Sequence, residues 1–281
     1  MCKSSKFSIK KPISLLLQLL VLKVLVMMAF VLIAHKPFNT EMLILAVFPQ
    51  KYFVVLYIGL VFFAPFINRL LINLKKEELE RLLLLMFFFF SIWPFTLDLI
   101  KEFTPYNLDS SNTIGHFGSQ GGQTIISFIF IYMIGAYLRL YEIPNKIHCV
   151  KTWFIVFICI LIFQYPMICF ESIKNIPIEG RAILAYHNPL VILESIVIFC
   201  LFSKMNIQSS VINSLATSAF TCYIASGYFK GLIFNYAFLR QPVYIMLGYL
   251  IIYCVFVYLL SWCYFFVYNK IVTPIIDRCI H

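Results

Sequence analysis

The sequence predicts an all-α integral membrane protein, built as a bundle of about eight transmembrane helices with both termini in the cytoplasm. Apolar residues make up 62% of the 281 residues and charged residues only 12%, whereas soluble domains contain about 45–50% and about 25% respectively. Mean hydropathy is +0.91. We therefore expect one membrane domain over residues 1–281, located in the inner or plasma membrane, with no separate soluble domain.

Eight apolar runs are long enough to be assigned as membrane spans. They cover residues 13–34, 52–72, 82–100, 121–141 with polar ends included, 150–170, 187–202, 211–228 and 243–267. The first run is longer than the core of a cleaved signal peptide, and no small-residue cleavage motif follows it. The seventh run is weakly apolar and rich in small and hydroxyl residues. This composition predicts a helix inside the bundle, in contact with the fourth and sixth spans.

The positions of the lysines and arginines predict the orientation. In the proposed topology about twice as many of them lie in inner segments as in outer segments, and Lys23 lies within the first span. Cytoplasmic loops are enriched in such residues, so both termini are placed inside. The formal net charge of +10 does not indicate nucleic-acid binding, because the basic residues form no single stripe. The nine cysteines show no metal-ligand spacing, so no metal site is predicted.

His187 and Glu194 are the candidate catalytic pair. They are close to two helical turns apart, so within a helix they would share one face. Glu194 would lie about 10 Å into the span, where burial favours the neutral carboxyl unless a cation such as Lys23 pairs with it. The alternative is that His187 is an interfacial residue before Pro189 and that Glu194 makes an ordinary polar contact. His35 and His116, in predicted outer loops, are weaker candidates for a base.

Four segments resemble, in order, the bacterial membrane acyltransferase-3 family of sugar and polysaccharide O-acyltransferases. FPQKYFVVLYIGLVFFAPFINRLL (48–71) is similar to the family's P…YWF…Y…L…PFLN region, and FIFIYMIGAYLRLY (128–141) is similar to its F…LYLIGAYLR segment. YHNPLVILESIVIFCLFSK (186–204) resembles its P…L…LF…F helix, and INSLATSAFTCYIAS (212–226) resembles its INKLAKSTFGVYLIH segment. The ordered match covers most of the chain.

The resemblance implies an enzyme that transfers an acyl group, commonly acetyl, from a thioester to a sugar hydroxyl of a cell-surface polysaccharide. The expected donor substrate is acetyl-CoA or a similar acyl-CoA, with no bound cofactor, and the partners are the lipid bilayer and the sugar acceptor. Basic side chains at the inner face would hold the donor's phosphates. The candidate donor- or substrate-binding residues are Arg139, Lys146, Lys151, Tyr132, Asn68 and Tyr223. For the basic residues the alternative is ordinary positive-inside bias, and for the tyrosines it is packing or interfacial anchoring.

The chain also departs from the family pattern. It aligns from the family's third helix onward, so the first helix, which carries an arginine and a histidine used in acyl transfer, has no counterpart. The histidine that ends YLIH aligns with Ser226. We therefore expect little or no acetyl transfer from residues 1–281 alone unless another histidine, such as His187, acts as the base.

Two other interpretations stay open beside the acyltransferase. One is an inactive, N-terminally incomplete remnant of the same family. The other is a polysaccharide polymerase or transporter of similar hydropathy. Such polymerases tend to carry a long outer loop with several arginines, and the longest loop here, residues 101–123, has none.

Overall fold

The computed structural model describes residues 10–32, 40, 43–44, 48, 51–115, 118–146, 150–177, 180–205 and 208–279. In these residues the chain forms helices and turns and no strand. Leaving aside residues 1–7, the chain divides into two compact units, one of residues 56–206 and one of residues 8–55 with 207–281. The single membrane domain over residues 1–281 stays a prediction.

The α-helices follow one another along the chain, joined by loops and short 3₁₀ turns. Those longer than one turn are α1 (Lys10–Leu32), α2 (Tyr52–Asn73), α3 (Lys76–Phe103, including a π-helical turn at Phe88–Ile92), α4 (Ile125–Leu140), α5 (Val150–Ile173), α6 (Pro189–Ser203), α7 (Ser210–Thr217), α8 (Ala219–Ile233), α9 (Val243–Ile271) and α10 (Thr273–Cys279).

Six stretches of the described chain are long and apolar enough to cross a membrane. They are Pro12–Ala29, Tyr52–Asn73, Lys76–Phe103, Val150–Ile173, Ala182–Ser203 and Val243–Ile275. The all-helical fold class is thereby confirmed for the described residues, and the apolar helices indicate a multi-pass protein in a lipid bilayer. The count of eight spans and the cytoplasmic position of both termini stay predictions.

The two remaining predicted spans differ from the other six. The fourth corresponds to α4, whose 16 residues give a helix of about 24 Å, shorter than a hydrocarbon core of about 30 Å. The seventh is broken at Ser218 between α7 and α8. There the hydroxyls of Thr217 and Ser218 donate to the carbonyls of Ser214 and Leu215, and such bonds from side chain to backbone compete with the helical ladder.

The π-helical turn in α3 has a local cause. Pro94 lies two residues after its end, and proline has no N–H to donate to the carbonyl four residues earlier, which belongs to the turn. The backbone accommodates one extra residue before the α-helix resumes at Trp93, as in the π-bulges found within longer helices. Ser91 lies in this turn and is fully buried.

Within the first unit, α4 packs on both sides through apolar side chains. Met133 joins a buried cluster with Leu71 of α2 and Leu79 of α3. Further along α4, Leu138 packs with Cys200 of α6. Burial of this kind supplies most of the stabilisation of a helix in a folded chain.

Within the second unit, α8 packs against α9 and α1. Ser218 and Thr221 are fully buried, and the Thr221 hydroxyl accepts a hydrogen bond from the Gln18 amide of α1. Tyr264 of α9 donates to the Gln18 carbonyl oxygen at 2.7 Å. Small residues here allow close packing of helices. The predicted contacts of this segment with the fourth and sixth spans stay predictions.

Candidate functional site

His187 lies in the turn before α6, not on the helix itself. Asn188 is the N-cap, since its Oδ1 accepts a hydrogen bond from Leu190 N at 2.9 Å, and Pro189 occupies the first helical position. The helix therefore begins two residues after the predicted start of the sixth span. Because helical periodicity applies only from Pro189 onward, the seven-residue spacing does not place His187 and Glu194 on one helical face.

The His187 imidazole is buried against a carboxylate. Only 1% of the residue is exposed, and Nε2 lies 3.1 Å from Oδ2 of Asp98 on α3. The two groups are in contact without the alignment of a hydrogen bond, and Nδ1 has no hydrogen-bond partner among the described residues. The same Asp98 oxygen accepts a hydrogen bond from Ser119 Oγ at 2.6 Å. A carboxylate so placed can fix the orientation of an imidazole.

The π-helical turn of α3 contributes a second contact with His187. Ser91 Oγ donates a hydrogen bond to the backbone carbonyl of His187 at 2.7 Å, and the contact is buried. Asp98 follows Ser91 in the same helix, so one element contacts both the backbone and the side chain of the histidine. Single-turn π-bulges are frequent at functional sites.

Gly122 makes the closest backbone approach to His187. A Cβ atom at this position would lie 2.6 Å from His187 N and 3.2 Å from its Nδ1, and Gly122 has φ of +77°. Both observations restrict the position to glycine. Next to it, the Gly121 carbonyl accepts a hydrogen bond from Tyr186 N at 2.9 Å. The end of the loop 101–123 therefore covers the histidine.

A polar cavity of about 500 Å³ opens beside Asp98. Charged side chains of both signs line it, namely Asp98, Lys101, Glu102, Asp109, Lys174 and Arg181. Lys101 and Asp109 form an ion pair at 2.7 Å. The volume falls within the range of about 300–1,000 Å³ for small-molecule sites. Donors and acceptors placed together suit a ligand rich in hydroxyl groups.

Glu194 lies on α6 and is half-buried, and its Oε1 has no hydrogen-bond partner among the described residues. Lys23, its suggested partner, is buried and donates to the backbone carbonyl of Phe48. The pairing of Lys23 with Glu194 stays a hypothesis. His35 and His116 lie outside the described residues.

Three of the predicted binding residues line one cavity. Asn68 of α2 and Tyr132 and Arg139 of α4 surround a space of about 520 Å³, together with Glu142. The Tyr132 hydroxyl donates to Asn68 Oδ1 at 2.9 Å. Arg139, in the last turn of α4, is exposed. The cavity thus combines an arginine with a tyrosine–asparagine hydrogen bond.

The other three predicted binding residues do not join this cavity. Lys151 is exposed at the start of α5 and lines a separate apolar cavity of about 750 Å³ with residues of α6. The side chain of Lys146 lies outside the described part of the chain. Tyr223 belongs to the second unit, where its ring centroid lies 5.0 Å from that of Phe53.

His187 and Arg139 lie near opposite ends of α4. Gly122 precedes the first turn of the helix, while Arg139 lies in its last turn. At about 1.5 Å per residue, Arg139 is about 20 Å along the helix from its first residue. Of the predicted residues, the structure therefore unites Asn68, Tyr132 and Arg139, and it does not bring His187 to them.

Four residues around His187 were not identified from the sequence: Asp98, Ser119, Ser91 and Gly122. Asp98 carried a usable signal, because an acidic residue at the end of an apolar span is costly and is often functional. Ser119 and Gly122 lie in a loop rich in glycine and polar residues, a composition that by itself indicates only a loop. Within the described residues, no group of three histidine, cysteine or acidic side chains is placed to hold a metal ion.

Comparison of the chain with protein-family models, with curated proteins and with solved structures finds no match.

Proposed function

We propose that this chain is a membrane-bound acyltransferase that transfers an acyl group, acetyl in the simplest case, from a thioester donor to a sugar hydroxyl of cell-surface polysaccharide. The observation that carries the proposal is the burial of His187 against the Asp98 carboxylate beside a polar cavity. The ordered sequence resemblance to acyltransferase-3 proteins supports the same reaction class. Among the described residues of this chain, we assign His187 as the base.

A hydroxyl group is a weak nucleophile near neutral pH, and a positioned base accelerates its reaction by about 10²–10⁴-fold. Asp98 faces Nε2, which leaves Nδ1 as the atom that would accept the proton. The arrangement follows the logic of a carboxylate–histidine pair, in which the carboxylate stabilises the imidazolium formed during the reaction. Here the two imidazole nitrogens exchange the roles that they have in serine proteases.

The proposed reaction proceeds by addition and elimination. The acceptor oxygen attacks the thioester carbonyl carbon while its proton passes to Nδ1 of His187. The carbon–sulfur bond then breaks, and the imidazolium returns the proton to the departing thiolate. The products are a sugar ester and a free thiol, so no oxidant, reductant or metal ion is consumed.

Access to Nδ1 involves the Gly121–Gly122 turn. Gly122 covers the imidazole, so the acceptor hydroxyl reaches Nδ1 only when this turn shifts. Catalytic hydrogen bonds are often unformed in proteins without substrate and tighten in the substrate complex. The cavity beside Asp98 is the proposed acceptor site. The cavity with Asn68, Tyr132 and Arg139 is the proposed site for the donor's phosphates, with Arg139 contacting them, and the donor's arm would have to extend along α4 to bring the thioester to His187.

The first experiment measures thiol release from acetyl-CoA by the purified chain in lipid nanodiscs, with a panel of oligosaccharide acceptors. His187→Ala is expected to lower kcat by about 10²–10⁴-fold, the contribution of a general base. His281→Ala, a histidine at the chain end, is the matched control and is expected to turn over normally. Equal kcat for His187→Ala and the unsubstituted chain would reject the assignment of His187.

The inactive-remnant interpretation makes the opposite prediction. In that case the chain folds and inserts but releases no thiol with any acceptor. Absence of turnover from a chain that unfolds cooperatively on heating would therefore favour a remnant, whereas turnover abolished by His187→Ala would favour the proposed enzyme.

A second candidate function is transport of a polysaccharide precursor or an ion. The observation that favours it is the presence of ionisable side chains within apolar helices, Lys23 of α1 and Glu194 of α6, since such residues often mark transport pathways. Substitution of Glu194 by Gln would then abolish uptake into proteoliposomes.

A further inference from the structure

Two carboxyl groups from different helices hold the start of the segment that carries His187. Glu102, near the end of α3, accepts a hydrogen bond at Oε1 from Ala182 N at 2.7 Å. Glu171, near the end of α5, accepts one at Oε1 from Ile183 N at 3.1 Å. The two donors are consecutive amides of the 3₁₀ turn Ala182–Leu184. The carboxyl groups therefore meet at one short piece of backbone.

The second oxygens of these carboxyl groups have no donor among the described residues. Both Oε2 atoms are buried and without a hydrogen-bond partner, and Glu171 is fully buried. The two carboxyl groups lie close together, because they accept hydrogen bonds from consecutive backbone amides. Two carboxylates this close, away from water, repel each other, whereas one proton between them removes the repulsion and supplies the missing donor.

The held turn is connected to His187 through Asn188. The Ile183 carbonyl accepts a hydrogen bond from Asn188 Nδ2 at 2.6 Å. Asn188 is fully buried, and its Oδ1 also caps α6. The Asn188 side chain, next to His187 in sequence, is thus bonded both to the 3₁₀ turn that the two glutamates contact and to the first turn of α6. Movement of the 3₁₀ turn would move His187 relative to Asp98.

We propose that Glu102 and Glu171 share one proton and act as positioning residues that hold His187 in place. The proposal deepens the role assigned above to His187 and rests on it for its catalytic consequence. The geometric part, that the pair keeps His187 buried, does not depend on the reaction. It can therefore be tested on a protein that shows no turnover.

The test measures the rate at which diethyl pyrocarbonate, a histidine-acylating reagent, modifies His187 in nanodiscs, with the modified peptide followed by mass spectrometry. In the unsubstituted protein the rate is expected to be low because the side chain is buried. Glu171→Ala leaves Ile183 N without an acceptor and is expected to raise the rate about tenfold, the factor typical of one lost buried hydrogen bond. The control is Glu77→Ala, an exposed glutamate in the first turn of α3.

Glu171→Gln separates proton sharing from simple charge. Its carboxamide oxygen still accepts from Ile183 N, and its NH₂ group donates to Glu102 as the shared proton would. Modification of His187 is therefore expected to stay within about twofold of the unsubstituted rate. An unchanged rate in Glu171→Ala would overturn the positioning role, and an equally fast rate in Glu171→Gln and Glu171→Ala would overturn the shared proton.

If Glu171→Ala does not fold, Glu171→Asp takes its place, because the shorter acid keeps the pair but withdraws from Ile183. A raised modification rate supports the proposal, and a rate equal to that of the unsubstituted protein overturns it. Where thiol release is measurable, Glu171→Ala should lower kcat in the unsubstituted background and have no further effect with His187→Ala. If the two substitutions lower kcat by independent factors, so that the double variant shows the product of both, Glu171 acts independently of His187.

Discussion

Asp98 is an acidic residue on an apolar helix, and its carboxylate contacts Ser119 and His187. It accepts from the Ser119 hydroxyl through the same oxygen that faces His187 Nε2. Loss of the serine bond alone would leave the contact with His187 in place. Loss of the carboxylate charge would leave a buried imidazole with no group to stabilise its protonated form.

Asp98→Asn is therefore expected to lower kcat for thiol release by about 10²–10⁴-fold, with KM for acetyl-CoA little changed. The measurement is steady-state kinetics on the variant and on Glu77→Gln, which removes an exposed carboxylate of the same helix. A variant that kept its kcat would show that the Asp98–His187 contact is structural only.

At the scale of elements, the π-helical turn of α3 links a local sequence feature to the site. Pro94 lacks the N–H that would continue a regular ladder through this turn, and within the turn Ser91 donates to the His187 carbonyl. In a regular α-helix the Ser91 side chain would point in a different direction relative to Asp98, because one inserted residue rotates the helix before it by about 100° relative to the helix after it.

Pro94→Ala returns an N–H to the helix and allows the turn to become α-helical. We expect kcat to fall about tenfold, the effect of losing the Ser91 bond, while thermal stability stays constant or rises because alanine is the better helix former. Kinetics and thermal unfolding on one preparation check this. Unchanged kcat with raised stability would show that the π-helical turn does not serve the site.

The sequence was informative where a signal is local. Apolar runs predicted the six stretches of the described chain that are long enough to cross a membrane, since helix length follows from the length of the run. The break at Ser218 was missed because hydroxyl bonding back to the helix depends on side-chain conformation, which a hydropathy pattern does not contain. The start of α6 was misplaced because Asn188 and Pro189 were counted as helix, although an N-cap followed by proline marks the boundary.

The partners of His187 were missed for a different reason. Asp98 and His187 lie on separate helices far apart in sequence, and no periodicity connects them. The close approach of Gly122 is visible only once the end of the loop packs against Tyr186 and His187. Tertiary contacts of this kind require the packed structure, and the sequence alone indicated only that His187 was the histidine to examine.

At the scale of the whole molecule, the orientation stays a prediction and can be tested directly. With both termini inside, Ser111 faces the exterior and Glu78 faces the cytoplasm, and both side chains are exposed. A membrane-impermeant thiol reagent applied to intact cells is expected to modify Ser111→Cys and not Glu78→Cys. Peptide mapping separates these sites from the nine native cysteines, and the reverse pattern would contradict the topology.

The contacts that surround His187 also set the order in which the protein can fold. The Ser91 bond joins residues 96 positions apart, and the Glu102 bond to Ala182 spans 80 positions. Loops of this length close late, since contacts distant in sequence slow folding. During synthesis, α3 therefore enters the bilayer with Ser91 and Glu102 lacking these partners until residues 182–188 leave the ribosome. The newly made chain carries two unmatched polar groups through that interval, during which the hydrocarbon around them offers no hydrogen bond.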